Sequence, residues 1–123
     1  MKANELMIGD FVLDGNVYAQ VTSITCDGNI ETTYNEHSNI ELIEPIPLTQ
    51  EILEKNGIKK DMHGRMVGEY FNEDAEGYLE ISVNSKEIWW TINYDEYNII
   101  QFKYVHELQH ALRLCRIEKE IIL

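Results

Sequence analysis

The sequence predicts an α+β protein in which a small barrel-like β lobe precedes an antiparallel sheet covered by a C-terminal helix. Three patterns predict this fold. Short β-branched and aromatic runs alternate with tight turns over the first 48 residues, two runs of alternating apolar residues follow between residues 79 and 94, and an apolar stripe with helical spacing occupies residues 104–116. We therefore expect two lobes, residues 1–48 and residues 49–123.

Four short strands are predicted in the first lobe. Residues 10–14 and 17–25 are joined by Gly15-Asn16, a pair that suits the positive φ angles of a tight hairpin. Residues 30–34 and 40–43 are expected to add two more strands. The run Leu6-Met7-Ile8-Gly9-Asp10-Phe11-Val12, followed by Val21-Thr22-Ser23-Ile24, resembles the first hairpin of SH3-like small barrels, which are binding modules for many ligands.

Two prolines mark the predicted boundary between the lobes. Pro45 and Pro47 are expected to interrupt any strand, because proline has no N–H to donate to a ladder. Thr49 then suits the N-cap of a helix over residues 50–56, and Gly57 suits its C-terminal end.

The second lobe is predicted to be an antiparallel sheet with a helix on it. Alternating apolar residues mark a hairpin joined through residues 84–87, with flanking strands at 67–71 and 99–102. A helix over residues 104–116 gathers six side chains on the side expected to dock on the sheet: Tyr104, Val105, Leu108, Ala111, Leu112 and Cys115. Residues 117–123 are predicted to form a closing strand.

The net charge limits the classes of partner. The chain has 22 acidic and 10 basic residues, a formal charge of -12, which repels phosphate backbones and anionic lipids. We expect no nucleic-acid or membrane partner, although an acidic protein that mimics DNA would have the same composition. No signal-peptide pattern is present, and Cys26 and Cys115 match no disulfide or zinc pattern. We therefore predict a cytoplasmic protein with two reduced, mostly buried thiols.

One segment, His106-Glu107-Leu108-Gln109-His110, matches the HExxH pattern of zinc hydrolases. In that chemistry two histidines one helical turn apart bind zinc, and the glutamate acts as general base on the metal-bound water. A catalytic zinc also needs a third protein ligand. The segment therefore defines a hypothesis that its surroundings must decide.

The surroundings of this segment disfavour zinc. Arg113 and Arg116 occupy the positions where the metzincin extension has its glycine and third histidine. The helical wheel directs both histidines away from the apolar stripe, towards solvent or a partner. Other sources of a third ligand would require distant loops or the last residues to converge: His37, His63, Glu118 and Glu120. We interpret the histidines as a surface pair and predict no metal, no cofactor and no catalytic residue.

Adjacent tryptophans occupy one predicted strand of the second lobe. Alternation directs Trp89 and Trp90 to opposite faces, with Trp90 on the apolar face. Trp89 is the predicted interface residue, because tryptophans on a second face are often covered by another chain. We interpret the carboxylates near this hairpin as a solvated acidic edge: Glu69, Glu73, Asp74, Glu76 and Glu80.

Three segments in the same order resemble a family of small bacterial proteins associated with prophages and mobile elements. They are residues 1–10, Ile43-Glu44-Pro45-Ile46-Pro47-Leu48-Thr49 with the helix after it, and Tyr104-Val105-His106-Glu107-Leu108-Gln109. No activity is assigned to that family, and its members often have another residue, such as glutamine, at the position of Glu107. The resemblance implies a biological setting without a mechanism.

These observations together predict a non-enzymatic accessory or protein-interaction protein. Its expected contact surfaces are the barrel-like lobe and the face around Trp89, and self-association is plausible because small domains gain core by pairing. Two alternatives remain open. One is a zinc-dependent hydrolase with His106 and His110 as ligands and Glu107 as base, and the other is an acidic inhibitor that mimics DNA.

Overall fold

A computed structural model describes residues 5–34, 42–60, 62, 66–72, 77–82, 87–92, 95–101 and 103–123, with side chains described for 5–34, 42–59, 62 and 103–123. Two antiparallel sheets and two helices form within these residues, so the α+β prediction is confirmed. The chain divides into two compact units, Met1–Pro47 with Tyr104–His106 and Leu48–Lys103 with Glu107–Leu123. The sequence did not predict that residues 104–106 belong to the first unit.

The first unit contains a four-stranded antiparallel sheet in the order β3-β2-β1-β4. Gly15 and Asn16 have φ angles of 59° and 72°, so the predicted tight hairpin between the first two strands is confirmed. A bulge between Val21 and Ser23 interrupts the pairing of the second and third strands. The strands are β1 Phe11–Asp14, β2 Val17–Ile24, β3 Ile30–Thr32 and β4 Ile43–Pro45.

One face of this sheet is buried. Its apolar residues form a cluster with the segment before β1: Leu6, Val12, Val21, Ile30 and Ile43. Asp14 is buried on the same face, where its Oδ2 accepts a 2.7 Å hydrogen bond from the Thr32 hydroxyl. Asp10 is also buried, and its Oδ2 accepts a hydrogen bond from the Met7 N–H at 2.8 Å. Each of these two buried carboxylates accepts a hydrogen bond, as buried polar groups usually do.

Strand β4 lies nearer to the boundary than predicted. It includes Pro45, the Cα partner of Val12, as its last residue. No strand runs through residues 44–47, as predicted, but Pro45 itself belongs to the ladder. The reason is position: β4 is an edge of the sheet, where proline is tolerated. Between its described edges, β3 and β4, the sheet is open, so closure into a small barrel is not confirmed.

Helix α1, Gln50–Lys55, has the caps that the sequence predicts. The Thr49 Oγ1 accepts a hydrogen bond from the Ile52 N–H at 3.3 Å. At the other end Gly57 has a φ of 89°, and the N–H groups of Gly57 and Ile58 donate to the carbonyls of Glu54 and Leu53. This pair of hydrogen bonds is a Schellman motif, which favours glycine at its left-handed position.

The second unit contains a five-stranded antiparallel sheet in the order β5-β6-β7-β8-β9. The predicted hairpin is confirmed: Leu79 pairs with Trp90, and Ile81 pairs with Ile88. The short β5 was not predicted. The side chains of this sheet from residue 60 onward lie outside the described residues, so its cover by a helix remains a prediction. The strands are β5 Lys59–Lys60, β6 Met66–Asn72, β7 Gly77–Ser82, β8 Glu87–Ile92 and β9 Asp95–Gln101.

Helix α2, Val105–Leu114, ends in a second Schellman motif. The N–H groups of Arg116 and Ile117 donate to the carbonyls of Arg113 and Leu112. Arg116 occupies the left-handed position with a φ of 56°, where glycine is usual. Neither of the described helices is long and apolar enough to cross a membrane.

The predicted closing strand over residues 117–123 is wrong. These residues have no regular secondary structure, and the backbone of Ile122 binds to the side chain of Asn56 instead of to a strand. An amide side chain has an NH2 group that donates and a carbonyl oxygen that accepts, so it can replace the two groups that a neighbouring strand would supply.

Arg116→Gly is expected to stabilise the protein by about 0.5–1 kcal/mol, because glycine adopts the left-handed conformation without a Cβ clash. Urea denaturation measures the change, with Arg113→Gly as control. The control lies in the last turn of α2 and is expected to destabilise, since glycine is a poor helix former. A loss of stability in Arg116→Gly would contradict this account of the helix end.

Candidate functional site

The HExxH-like segment begins at the first turn of α2. Just before the helix, Pro47 lies opposite Tyr104 in an antiparallel bridge. The Val105 N–H donates to the Ile46 carbonyl at 2.9 Å. This hydrogen bond does not require an N–H from Pro47, and it joins the first residue of α2 to the segment after β4.

Glu107 binds the backbone at the start of α2. It is the third residue of the helix, and its Oε1 accepts a hydrogen bond from the Lys103 N–H at 3.0 Å. A carboxylate in the first turn is also favoured by the helix dipole. The contact resembles a capping box, in which the side chain of a glutamate at this position accepts a hydrogen bond from a backbone N–H just before the first turn. The carboxylate that zinc chemistry would use as general base is therefore engaged in a structural contact.

The two histidines lie in different environments. His106 is buried, with 7% of its surface exposed, and its ring stacks on Tyr104 with centroids 5.8 Å apart and an interplanar angle of 11°. His110 is half-buried. The expectation that the two histidines form a surface pair is wrong for His106. Gln109 is buried as well. The first turns of α2 therefore bury polar side chains that lie outside the apolar stripe predicted from the helical wheel.

The described residues contain no group of three His, Cys, Asp or Glu side chains that could hold a metal ion. Arg113 and Arg116, at the positions of the glycine and the third histidine of the metzincin extension, are exposed. Glu118 and Glu120 are exposed too. His37 and His63, the remaining candidates for a third ligand, lie outside the described residues.

A second candidate site is the face of the first sheet opposite the buried one, here called the outer face. Burial alternates along β1, where Val12 and Asp14 are buried and Phe11 and Leu13 are half-buried. Leu13 pairs with Tyr18, which is 55% exposed. The outer face therefore brings together the side chains of Phe11, Leu13 and Tyr18, a set that the sequence analysis did not single out. The sequence signal that could have found this set is strand geometry, because alternate residues of the predicted strands 10–14 and 17–25 lie on one face.

Acidic residues surround the outer face. On its β4 side Leu13 pairs with Glu44, which is exposed. On β3 the half-buried Glu31 lies between two buried residues and so faces outwards. Residues 1–47 contain one lysine and eight acidic residues, a formal charge of -7. Most of the excess negative charge of the chain thus lies in the first unit.

The predicted interface residue Trp89 lies in β8, with Glu80 and Asn98 as Cα partners. A bulge separates Ile88 and Trp89 in the pairing with β9. The side chain of Trp89 is outside the described residues, and its interface role remains a prediction. The predicted acidic edge is wrong for Glu80, because its strand β7 pairs with β6 on one side and β8 on the other. Glu69 is the Cα partner of Glu80 on β6, and residues 73–76 lie outside the described part.

The cysteines differ from the expected pair of buried thiols. Cys115 is buried, and burial raises the pKa of its thiol from 9.0 to about 11. Cys26 is exposed in the turn between β2 and β3. The turn explains this exposure, because connections between strands lie at the protein surface.

Comparison of the chain with known protein families, with curated proteins and with solved structures found no match. The site is therefore interpreted from its own geometry.

His106→Ala is expected to destabilise the protein by about 1–3 kcal/mol, since it removes a buried ring and its stacking on Tyr104. His110→Ala is the matched control and is expected to cost less, because His110 is half-buried. Urea denaturation of both variants measures the difference.

Zinc added after dialysis against a chelator is expected to leave the melting temperature of the parent protein unchanged. One retained zinc per chain with a zinc-dependent rise would instead support the hydrolase.

Cys26 is expected to react with Ellman's reagent at pH 8, while Cys115 reacts only after denaturation. The reason is that the thiolate is the nucleophile, and the raised pKa of Cys115 keeps its thiol protonated at this pH. Cys26→Ser provides the control, because it isolates the reactivity of Cys115. Rapid modification of the folded Cys26→Ser variant would contradict the burial of Cys115.

Proposed function

We propose that this chain is a non-enzymatic accessory protein that binds another protein through the outer face of its first sheet. In this proposal the first unit serves as the kind of binding module that SH3-like small barrels provide, and α2 covers the five-stranded sheet of the second unit. The protein acts in the bacterial cytoplasm and originates from a prophage or mobile element, the setting that the family resemblance implies.

The exposure of Tyr18 beside Phe11 and Leu13 carries the proposal. An aromatic side chain with apolar neighbours gains free energy when a partner removes it from water, and aromatic residues are enriched at the centres of interfaces. Phe11 and Leu13 are partly covered already, so Tyr18 supplies most of the area that a partner could bury.

The charge around this face defines the partner's chemistry. Glu44 adjoins Leu13, and the first unit has a formal charge of -7. A complementary surface has an apolar centre with lysine or arginine at its rim. A second copy of this chain would bring two acidic rims together, so a basic partner fits better than self-association.

The two alternative functions require different properties of the chain. An inhibitor that mimics DNA is favoured by the charge of the first unit, and it requires the partner to be a DNA-binding protein. A zinc hydrolase requires Glu107 to act on a metal-bound water, although its carboxylate accepts a hydrogen bond from the Lys103 N–H. The contact of Glu107 favours the non-enzymatic proposal.

Tyr18→Glu is expected to weaken partner binding about 30-fold, equivalent to about 2 kcal/mol for loss of an aromatic interface residue. Leu114→Glu is the matched control, since it also replaces an exposed apolar residue with an acid but lies on α2. Proteins captured from the native cell by the parent chain identify the candidate, and titration calorimetry with the purified candidate measures the affinities.

Salt dependence and competition complete this experiment. Affinity is expected to fall as ionic strength rises, because the rim contacts are between opposite charges. Competition by duplex DNA for the purified partner would favour the DNA-mimic alternative. Equal binding by the parent, Tyr18→Glu and Leu114→Glu, with all three folded by circular dichroism, would contradict the outer face as the contact surface.

A further inference from the structure

Asn56 binds the backbone of a segment 66 residues further along the chain. Its Oδ1 accepts a hydrogen bond from the Ile122 N–H at 2.7 Å, and its Nδ2 donates to the Ile122 carbonyl at 2.8 Å. The same Nδ2 donates to the Ile52 carbonyl at 2.7 Å, which anchors the amide to α1. Asn56 is 3% exposed, so these bonds are made away from water.

The hydrogen bonds between Asn56 and Ile122 are made to the peptide backbone and to no side chain of that segment. One residue of an extended strand presents an N–H and a C=O to the same neighbour, and the Asn56 amide satisfies both. The Ile122 side chain is 54% exposed, whereas the preceding Ile121 is 4% exposed. Backbone hydrogen bonds next to one buried aliphatic side chain are the combination by which proteins bind extended peptides.

The bound segment, residues 117–123, is attached at few points. Its beginning is fixed by the Ile117 N–H, which donates to the Leu112 carbonyl at the end of α2. Further along, Ile121 is the one buried residue of the segment, and Ile122 is held by its two hydrogen bonds to Asn56. Lys119 and Leu123 are half-buried. Segments with few contacts and no regular secondary structure open at lower free energy than the unit they belong to.

We propose that Asn56 and the buried position of Ile121 form a binding site for an extended peptide, which the chain fills with its own residues 117–123. The site takes an aliphatic residue followed by a residue with a free N–H, so proline is excluded at the second position. The segment opens locally while the rest of the second unit remains folded, and an extended peptide supplied from outside can then replace it.

Hydrogen exchange in the full chain tests the local opening. The Ile122 amide is expected to exchange faster than the Ile58 amide, which donates to Leu53 at the end of α1. Asn56→Leu is expected to speed exchange at Ile122 at least tenfold, since two hydrogen bonds are lost. Thr49→Ala, the control, weakens the other end of α1 and is expected to leave exchange at Ile122 unchanged. Parallel changes at Ile122 and Ile58 in both variants would overturn the proposal.

Peptide binding tests the site itself. Ile121→Asp places a charge at a buried position and is expected to expel the segment from its site. The probe is a fluorescein-labelled peptide with the sequence of residues 117–123, and anisotropy measures its binding to this variant. The double variant Ile121→Asp, Asn56→Leu is expected to bind the peptide about 10- to 100-fold more weakly, because the peptide loses two hydrogen bonds. A peptide carrying aspartate at the position of Ile121 is the sequence control.

Each outcome of the peptide-binding experiment either supports or overturns the proposed site. Saturable binding by Ile121→Asp that depends on Asn56 and on the aliphatic residue supports the site. Equal binding by the single and double variants, or no saturation up to about 1 mM peptide by a folded Ile121→Asp chain, overturns it. If Ile121→Asp does not fold, Ile121→Ala replaces it and the same two criteria apply. The exchange experiment is independent of both.

Discussion

The backbone groups at the ends of two short helices must find partners, and much of the described structure depends on this constraint. The six-residue helix has most of its N–H and C=O groups at an end, and the ten-residue helix has about two in five of them there. Thr49 and Gly57 serve the ends of α1, while Arg116 lies at the turn that closes α2. Asn56 serves two purposes at once, because its amide binds both the Ile52 carbonyl and the backbone of Ile122.

The same constraint explains the catalytic-looking segment. Glu107 stands third in α2, where a carboxylate can reach an N–H before the helix, and it binds that of Lys103. His106 is buried and stacks on Tyr104, the residue that pairs with Pro47. Within the HExxH pattern Glu107 thus binds the backbone at the start of the helix, and His106 has a packing role. A motif specifies residue types, but the hydrogen bonds of those residues decide what they can do.

Negative charge is distributed in two ways within the first unit. Asp10 and Asp14 are buried and hydrogen-bonded, so they contribute to the fold and cannot contact a partner directly. Glu31 and Glu44 lie around the outer face, where they are available to a partner. The alternation of β1 and β2 therefore separates a structural set of side chains from a surface set, and the proposed interaction uses only the second.

The sequence by itself determined the local features: the turn at Gly15-Asn16, the Thr49 cap and the left-handed Gly57. Each depends on residues within a few positions, so its physical cause is contained in a short window. Tertiary structure decided where β4 pairs, why His106 is buried and how residues 117–123 are held. Those features need partners far away in the chain, such as Asn56 for Ile122, and periodicity carries no information about which distant group will lie alongside.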